Sequence, residues 1–230
     1  MEQRQEQVLQ NPFRFLDVAA REVTTALARS HIRHGFIGGY ATSLIGGVRM
    51  TSDIDAIIDA DPNDARNLLL QAHSGFRVSQ SNKLVFVIGD ESIAIELLRG
   101  GKTRQLKLPD ANTVSILFVT ASDRPRRIDE TPIPIVAPSV LILTKIKRWS
   151  FLAESTRPQS IRKAERDVQD IEVLLNWLAK NDLYIDFEGY PEKPEQELLS
   201  GVRKLHRMHA TIRPLLETTL KAEDFAFINN

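Results

Sequence analysis

The stretch from Phe36 to Asp59, FIGGYATSLIGGVRMTSDIDAIID, constrains the fold more than any other part of the chain. A short apolar run ends in Gly38-Gly39, a helix-like segment follows, and Asp53 and Asp55 then alternate with Ile54 inside a second apolar run. Residues two apart in a β-strand face the same side. The two aspartates therefore project together, while Ile54, Ala56 and Ile57 lie in the hydrophobic run. Like charges side by side repel, and burial raises the cost. A hard cation such as Mg²⁺ removes the conflict, because it takes one or two carboxylates and completes its octahedron with waters and phosphates. The alternative is a strand edge carrying two solvated acids.

The context sharpens the pattern. Gly38-Gly39 follows the run Ile32 to Ile37 and precedes a short helix-like segment, Tyr40 to Ile45. Glycine lets backbone N–H groups approach a phosphate closely, and a helix N-terminus favours an anion. A strand-to-helix turn that simply needs glycine is the plainer reading. Farther on, Lys83 to Ile88 and Ile93 to Leu98 read as strands joined at Gly89-Asp90-Glu91. Glu96 is then an isolated acid in an apolar strand, to be paired with a core arginine or bound to metal. The second choice makes it a third ligand and a candidate general base.

Together Gly38-Gly39, Asp53-Ile54-Asp55 and Glu96 resemble the DNA polymerase β-type nucleotidyltransferase superfamily, with the motif core spanning about residues 30 to 100. The chain looks most like the stand-alone, AbiEii-type toxin nucleotidyltransferases. Two departures stand out: Tyr40 follows the glycines where serine is common, and the third acid is Glu rather than Asp. The resemblance implies an α+β (α/β) fold, a mixed sheet flanked by helices and followed by a helical C-terminal region. It implies residues 1–125 as catalytic core and 126–230 as a mostly helical region completing the nucleotide cleft. It further implies an Mg²⁺- or Mn²⁺-dependent, ATP-binding enzyme that moves a nucleoside monophosphate from an NTP to an acceptor hydroxyl and releases pyrophosphate. Asp53, Asp55 and Glu96 would be the catalytic and metal residues; Gly38, Gly39, Tyr40, Arg49 and Thr51 would lie at the nucleotide. The acceptors among relatives are tRNA ends, small molecules and proteins, and the sequence does not choose between them. A non-catalytic nucleotide sensor or regulatory protein is the alternative.

The second half carries two more candidates. Pro138 to Leu152 reads as a helix with proline near its start. Lys145 lies four residues after Leu141 and four before Trp149, on an apolar face, so it snorkels to the rim or reaches into a cleft. The resemblance gives it the triphosphate; Lys147 and Arg148 turn away from that face and read as surface charges. Ile161 to about Lys180 follows helical spacing, with Asp167 on the line of Ile171 and Leu174. Asp167 either makes an ordinary i,i+4 pair with Lys163 or, as the resemblance implies, orients Lys145 or binds nucleotide.

Bulk properties bound the rest. The 230 residues hold one large domain or two small ones, and 42% hydrophobic content supports a core. Thirty basic residues balance thirty acidic ones, which argues against strong non-specific nucleic-acid binding. There is no cysteine, so disulfides and thiolate–metal sites are excluded. No signal core or run of ~18 apolar residues is present, so a cytoplasmic protein with no membrane contact is the expectation. Phe13 to Ser30 and Pro62 to Ala72 read as helices, the latter with Asp61 as N-cap. Val114 to Val119 and Ile133 to Val136 read as strands, and Ser122 to Pro134 as a boundary. Glu195 to Lys221 reads as one helical stretch kinked near Pro214, with Arg203, Lys204, His206, Arg207 and His209 as a solvated face or, as the lesser alternative, an RNA contact.

Overall fold

The computed structural model describes residues 13–120 and 131–229. The amino-terminal segment and most of Ser122–Pro134 lie outside the described residues. In chain order the elements are α1 (Arg14–Arg29), β1 (His34–Ile37), α2 (Gly38–Leu44), β2 (Asp53–Ile58), α3 (Pro62–Ala72), β3 (Phe76–Val78), β4 (Leu84–Ile88) and β5 (Glu91–Arg99). Then follow β6 (Ile116–Val119), β7 (Ile133–Val136), α4 (Pro138–Leu152), α5 (Pro158–Lys180), α6 (Glu195–Met208), α7 (Arg213–Thr219) and α8 (Ala222–Asn229). They fall into two compact units: Met1–Gly100 with Asp110–Val136, and Gly101–Pro109 with Ala137–Asn230.

The first unit is built on a mixed seven-stranded sheet ordered β3-β4-β5-β2-β1-β7-β6. β2 runs antiparallel to β1 and parallel to β5, while β5 and β4 form an antiparallel hairpin. The hairpin turns at Gly89, whose φ of +58° suits a residue without Cβ. Alternation along the strands separates two faces. Phe36, Ile54, Ala56, Ile58, Ile93 and Ile95 are buried on one of them. α1 covers that face with Leu16, Ala20, Val23 and Leu27. α3 starts where Asp61 accepts a hydrogen bond from the Asn63 N–H at 2.8 Å, as an N-cap should.

His34 ties α1 to β1 and is 7% exposed. Its Nδ1 faces the Ile32 carbonyl and its Nε2 faces Thr24 Oγ1, each at 3.3 Å. A carbonyl only accepts, so Nδ1 carries the proton and Nε2 accepts from the threonine. Burial pushes the His34 pKa below its ordinary 6.5, against a hydrogen bond to Ile32 and the charge of Asp59. A base with a lowered folded pKa binds fewer protons folded than unfolded. Stability is therefore full above the unfolded pKa and falls as pH drops below about 6.5. Urea midpoints at pH 7.5 and pH 5 should differ more in the wild type than in His34→Gln. An equal difference in both proteins would remove His34 from the acid response. His209, whose pKa burial also lowers, contributes in the same direction.

The second unit is helical, with α4 and α5 packed along each other. Leu141, Ile142, Ile146 and Trp149 of α4 and Ile171, Leu174, Leu175 and Leu178 of α5 are buried. The long C-terminal helix read from Glu195 to Lys221 is instead two helices, α6 and α7, with α8 following at Ala222. α6 stops at Met208, and Pro214 occupies the first turn of α7 rather than a kink. Proline fits there because its missing N–H would have no intrahelical partner. The supposed solvated face of α6 is half-buried over much of its length. Lys204 donates to the Ser150 carbonyl, the His209 ring meets Trp149, and Arg203 stacks on Phe227 and donates to its carbonyl. Lys147 is likewise no surface charge. It donates to the carbonyls of Leu106 and Lys107 and to the Tyr190 hydroxyl, which fastens the 101–109 segment to α4. Burial, with Lys193 and Lys107 nearby, lowers its pKa to about 8.

Candidate active site

The face of the sheet opposite α1 is where the acids emerge. In β2, Asp53 is exposed, Ile54 is buried and Asp55 is half-buried, so the pleat itself sorts carboxylate from core. Asp55 is in register with Glu96 of β5 and Asp53 with Ala94. Paired residues in neighbouring strands share a face, and Asp53, Asp55 and Glu96 accordingly line one open pocket of about 250 Å³. Lys83, Ala94 and Ile95 complete its lining. Glu96 is exposed, so it is not the buried acid in need of a partner that the apolar strand suggested. The pleat carries it to the open side, where a carboxylate costs little.

The glycine turn abuts these acids. α2 begins at Gly38 rather than at Tyr40. Gly38 has φ +75°, and a Cβ there would run into Asp55 Oδ2. A Cβ on Gly39 would lie 2.6 Å from Arg49 Nη2 and 3.0 Å from Thr51 Oγ1. Gly38 is therefore needed both for its backbone conformation and for close approach, while at Gly39 the Arg49 guanidinium would have to shift. Thr51 Oγ1 donates to Asp53 Oδ1 at 2.7 Å, and Arg49 Nη1 donates to the Met50 carbonyl at 3.1 Å. Gly38, Gly39, Arg49, Thr51, Asp53 and Asp55 thus form one contiguous group at the end of β1 and the start of β2.

A substitution separates the two reasons for glycine. Gly89→Ala should cost only the left-handed backbone, about 1 kcal/mol, since no atom lies within 4 Å of the added Cβ. Gly38→Ala should cost more in urea unfolding and should displace Asp55. Equal costs at the two positions would mean that the Gly38–Asp55 contact relaxes freely.

Tyr40 does not join this group. It is fully buried, its ring meets Phe36 edge-on at 5.7 Å, and its hydroxyl donates to Asp17 Oδ1 at 3.0 Å. Its place in the first turn of α2 aims it at the core, where the sequence pattern had put it at the nucleotide. Lys145 and Asp167 belong to the second unit and are 2% and 0% exposed. Lys145 Nζ lies 2.5 Å from Asp170 Oδ2 and 3.9 Å from Asp167 Oδ1. Arg148 grips Asp167 with two bonds, of 2.8 and 2.5 Å. The partners of Asp167 therefore come from α4 and not from Lys163 one turn away. Burial lowers the Lys145 pKa, opposed chiefly by Asp170.

The donors at the pocket suit a hard cation: they are carboxylate oxygens, two of them on one strand beside the glycine turn. Among the described residues, no three His, Cys, Asp or Glu side chains are gathered tightly enough to hold a metal alone. Mg²⁺ does not ask for that, since one or two carboxylates suffice when waters and substrate phosphates supply the rest. Asp53 and Asp55 fit this pattern.

No family model matches the chain, and no curated protein matches it. Solved structures do. A nucleotidyltransferase-like antigenic protein from Paracoccidioides brasiliensis is 20% identical, with 93% of this chain and 96% of that chain covered at a TM-score of 0.70. JHP933 from Helicobacter pylori covers 86% of this chain and 74% of its own at 15% identity, with a TM-score of 0.44. The antibiotic-resistance factor ANT(2'')-Ia covers 85% and 100% at 13% identity, with a TM-score of 0.42. The first likeness shows the fold: an α+β, nucleotidyltransferase-like arrangement of a mixed sheet and helices.

Proposed function

We propose that the chain is a metal-dependent nucleotidyltransferase of the stand-alone, AbiEii-type kind that transfers a nucleoside monophosphate from an NTP to an acceptor hydroxyl. The observation that carries this reading is the contact of Gly38 with Asp55 in a group that also holds Asp53, with Glu96 facing the same pocket from the next strand. Asp53 and Asp55 would hold Mg²⁺, which when bound neutralises phosphate charge and stabilises the attacking and leaving oxygens. The Gly38–Gly39 backbone at the start of α2 receives the phosphates beside Asp55, which the absent side chains allow to approach. Arg49 and Thr51 border that turn, and Thr51 also keeps Asp53 turned toward the pocket.

Glu96 accepts the proton of the acceptor hydroxyl. The hydroxyl oxygen then forms a bond to the α-phosphorus, the bond between that phosphorus and the bridging oxygen of the β-phosphate breaks, and pyrophosphate leaves with the electron pair. Positioning supplies most of the rate in such chemistry. Lys145 and Asp167 enter the proposal as a buried ion-pair set that shapes the second unit, not as direct triphosphate contacts.

Calorimetric titration with a non-hydrolysable α,β-methylene NTP tests the binding half. Affinity should require Mg²⁺ and should be lost in Gly38→Ala. Tight binding without divalent ion, or binding untouched by Gly38→Ala, would count against the site.

A further inference from the structure

We propose that the acceptor carries a phosphate beside its reactive hydroxyl, and that Lys83 binds it. This rests on the nucleotidyl-transfer reading above. The sheet sets out the parts in a line. In the order β1, β2, β5, β4 come the glycine turn, Asp53 with Asp55, Glu96 and Lys83. Lys83 lies one residue beyond the Leu84–Ile95 pair, so it stands opposite Glu96 and on the same face. It lines the carboxylate pocket itself. Strands are about 4.8 Å apart, so β4 is about 14 Å from the glycine turn. The triphosphate end belongs to β1 and β2. The flank beyond Glu96, over β5 and β4, is left for the acceptor.

That flank is cationic. Lys83 is exposed, and among the described residues its ammonium makes no ion pair or side-chain hydrogen bond, not even with Glu96. Arg77 of β3 pairs with Val85, which pairs with Ala94, and so projects from the same face at the sheet edge. Ser79 continues the polar edge, with its hydroxyl accepting from the Lys83 N–H at 3.1 Å. A lysine placed next to the base that must remove a proton disfavours a polycationic acceptor and favours an anionic one. Two cations in a chain of zero net charge make a local site, compatible with weak binding to nucleic acid elsewhere. The shared chemistry is a hydroxyl with a neighbouring phosphate, found at an RNA 3′ end or in a small phosphorylated metabolite.

The test uses the full chain in equilibrium binding, with three probes: a short 5′-labelled RNA with a free 3′ hydroxyl, a nucleoside monophosphate and a polycationic aminoglycoside. Lys83→Glu should weaken the RNA or the monophosphate by roughly tenfold or more. Lys83→Arg should retain it. RNA binding without monophosphate binding would assign the anion to a nucleic-acid end, and monophosphate binding would assign it to a small molecule. Phosphate probes indifferent to Lys83→Glu, or an aminoglycoside that binds in preference to them, would overturn the proposal while the NTP affinity leaves the broader reading standing. An absence of NTP binding in the wild type would overturn that reading, and this proposal with it.

Discussion

Asp55→Asn should abolish Mg²⁺-dependent nucleotidyl transfer while leaving the fold intact. The amide matches the carboxylate in size, and the half-buried side chain keeps its place against Gly38. What disappears is the negative charge and with it a hard ligand. Loss of a residue behind the ligands typically costs roughly 10–100-fold in metal affinity or activity; loss of a ligand itself should exceed that. Asp53→Asn should behave in the same way, since Thr51 can still donate to the remaining carbonyl oxygen. Asp53→Asn, at an exposed position, should unfold in urea within about 1 kcal/mol of the wild type, and Asp55→Asn, which keeps the size of the side chain, should stay folded. Full activity in either one would remove that carboxylate from the metal site.

The largest stability effect should come from the second unit. Lys145→Met should destabilise the protein by about 3–5 kcal/mol, the usual cost of breaking a buried ion pair from one side. Asp170, 3% exposed, would keep its charge but lose the ammonium 2.5 Å away. Asp167 would retain Arg148. Adding Asp170→Leu should recover part of the loss, because replacing both partners by apolar groups removes a buried charge. Urea midpoints of the two single variants and the double variant measure this directly. A single variant as stable as the wild type, or a double variant with no recovery, would mean that water reaches the pair and screens it.

The parts of the fold that were legible in the sequence are those with a local cause. Asp61 and Pro62 fixed the start of α3, Pro138 that of α4, and Gly89 the β4–β5 turn, because caps, N-terminal prolines and left-handed glycines act over a few residues. The alternation of Asp53, Ile54 and Asp55 placed both acids on one face. Long-range causes were harder to read. Tyr40 looked available beside the glycines, yet Asp17 of α1 holds it in the core. Asp167 had partners one turn away in sequence, but α4 brought Arg148 and Lys145 to it instead.

Lys83 was within reach of the sequence and was missed. Once the hairpin is centred on Gly89-Asp90, counting back pairs Ile88 with Glu91, and the same count pairs Lys83 with Glu96. The register carries that information; composition and motif spacing do not. The break at Met208 had a weaker signal, since Pro214 by itself suits both a kink and a new first turn.

The central claim is transfer of the α-phosphoryl group with its nucleoside. Parallel reactions with α-³²P- and γ-³²P-labelled NTP, Mg²⁺ and a pool of RNA, proteins and small hydroxyl compounds test it most directly. Label from the α position should pass to an acceptor in the wild type and not in Asp55→Asn, while label from the γ position should appear only in pyrophosphate. Transfer of γ label to an acceptor, or α transfer that survives in Asp55→Asn, would contradict the account.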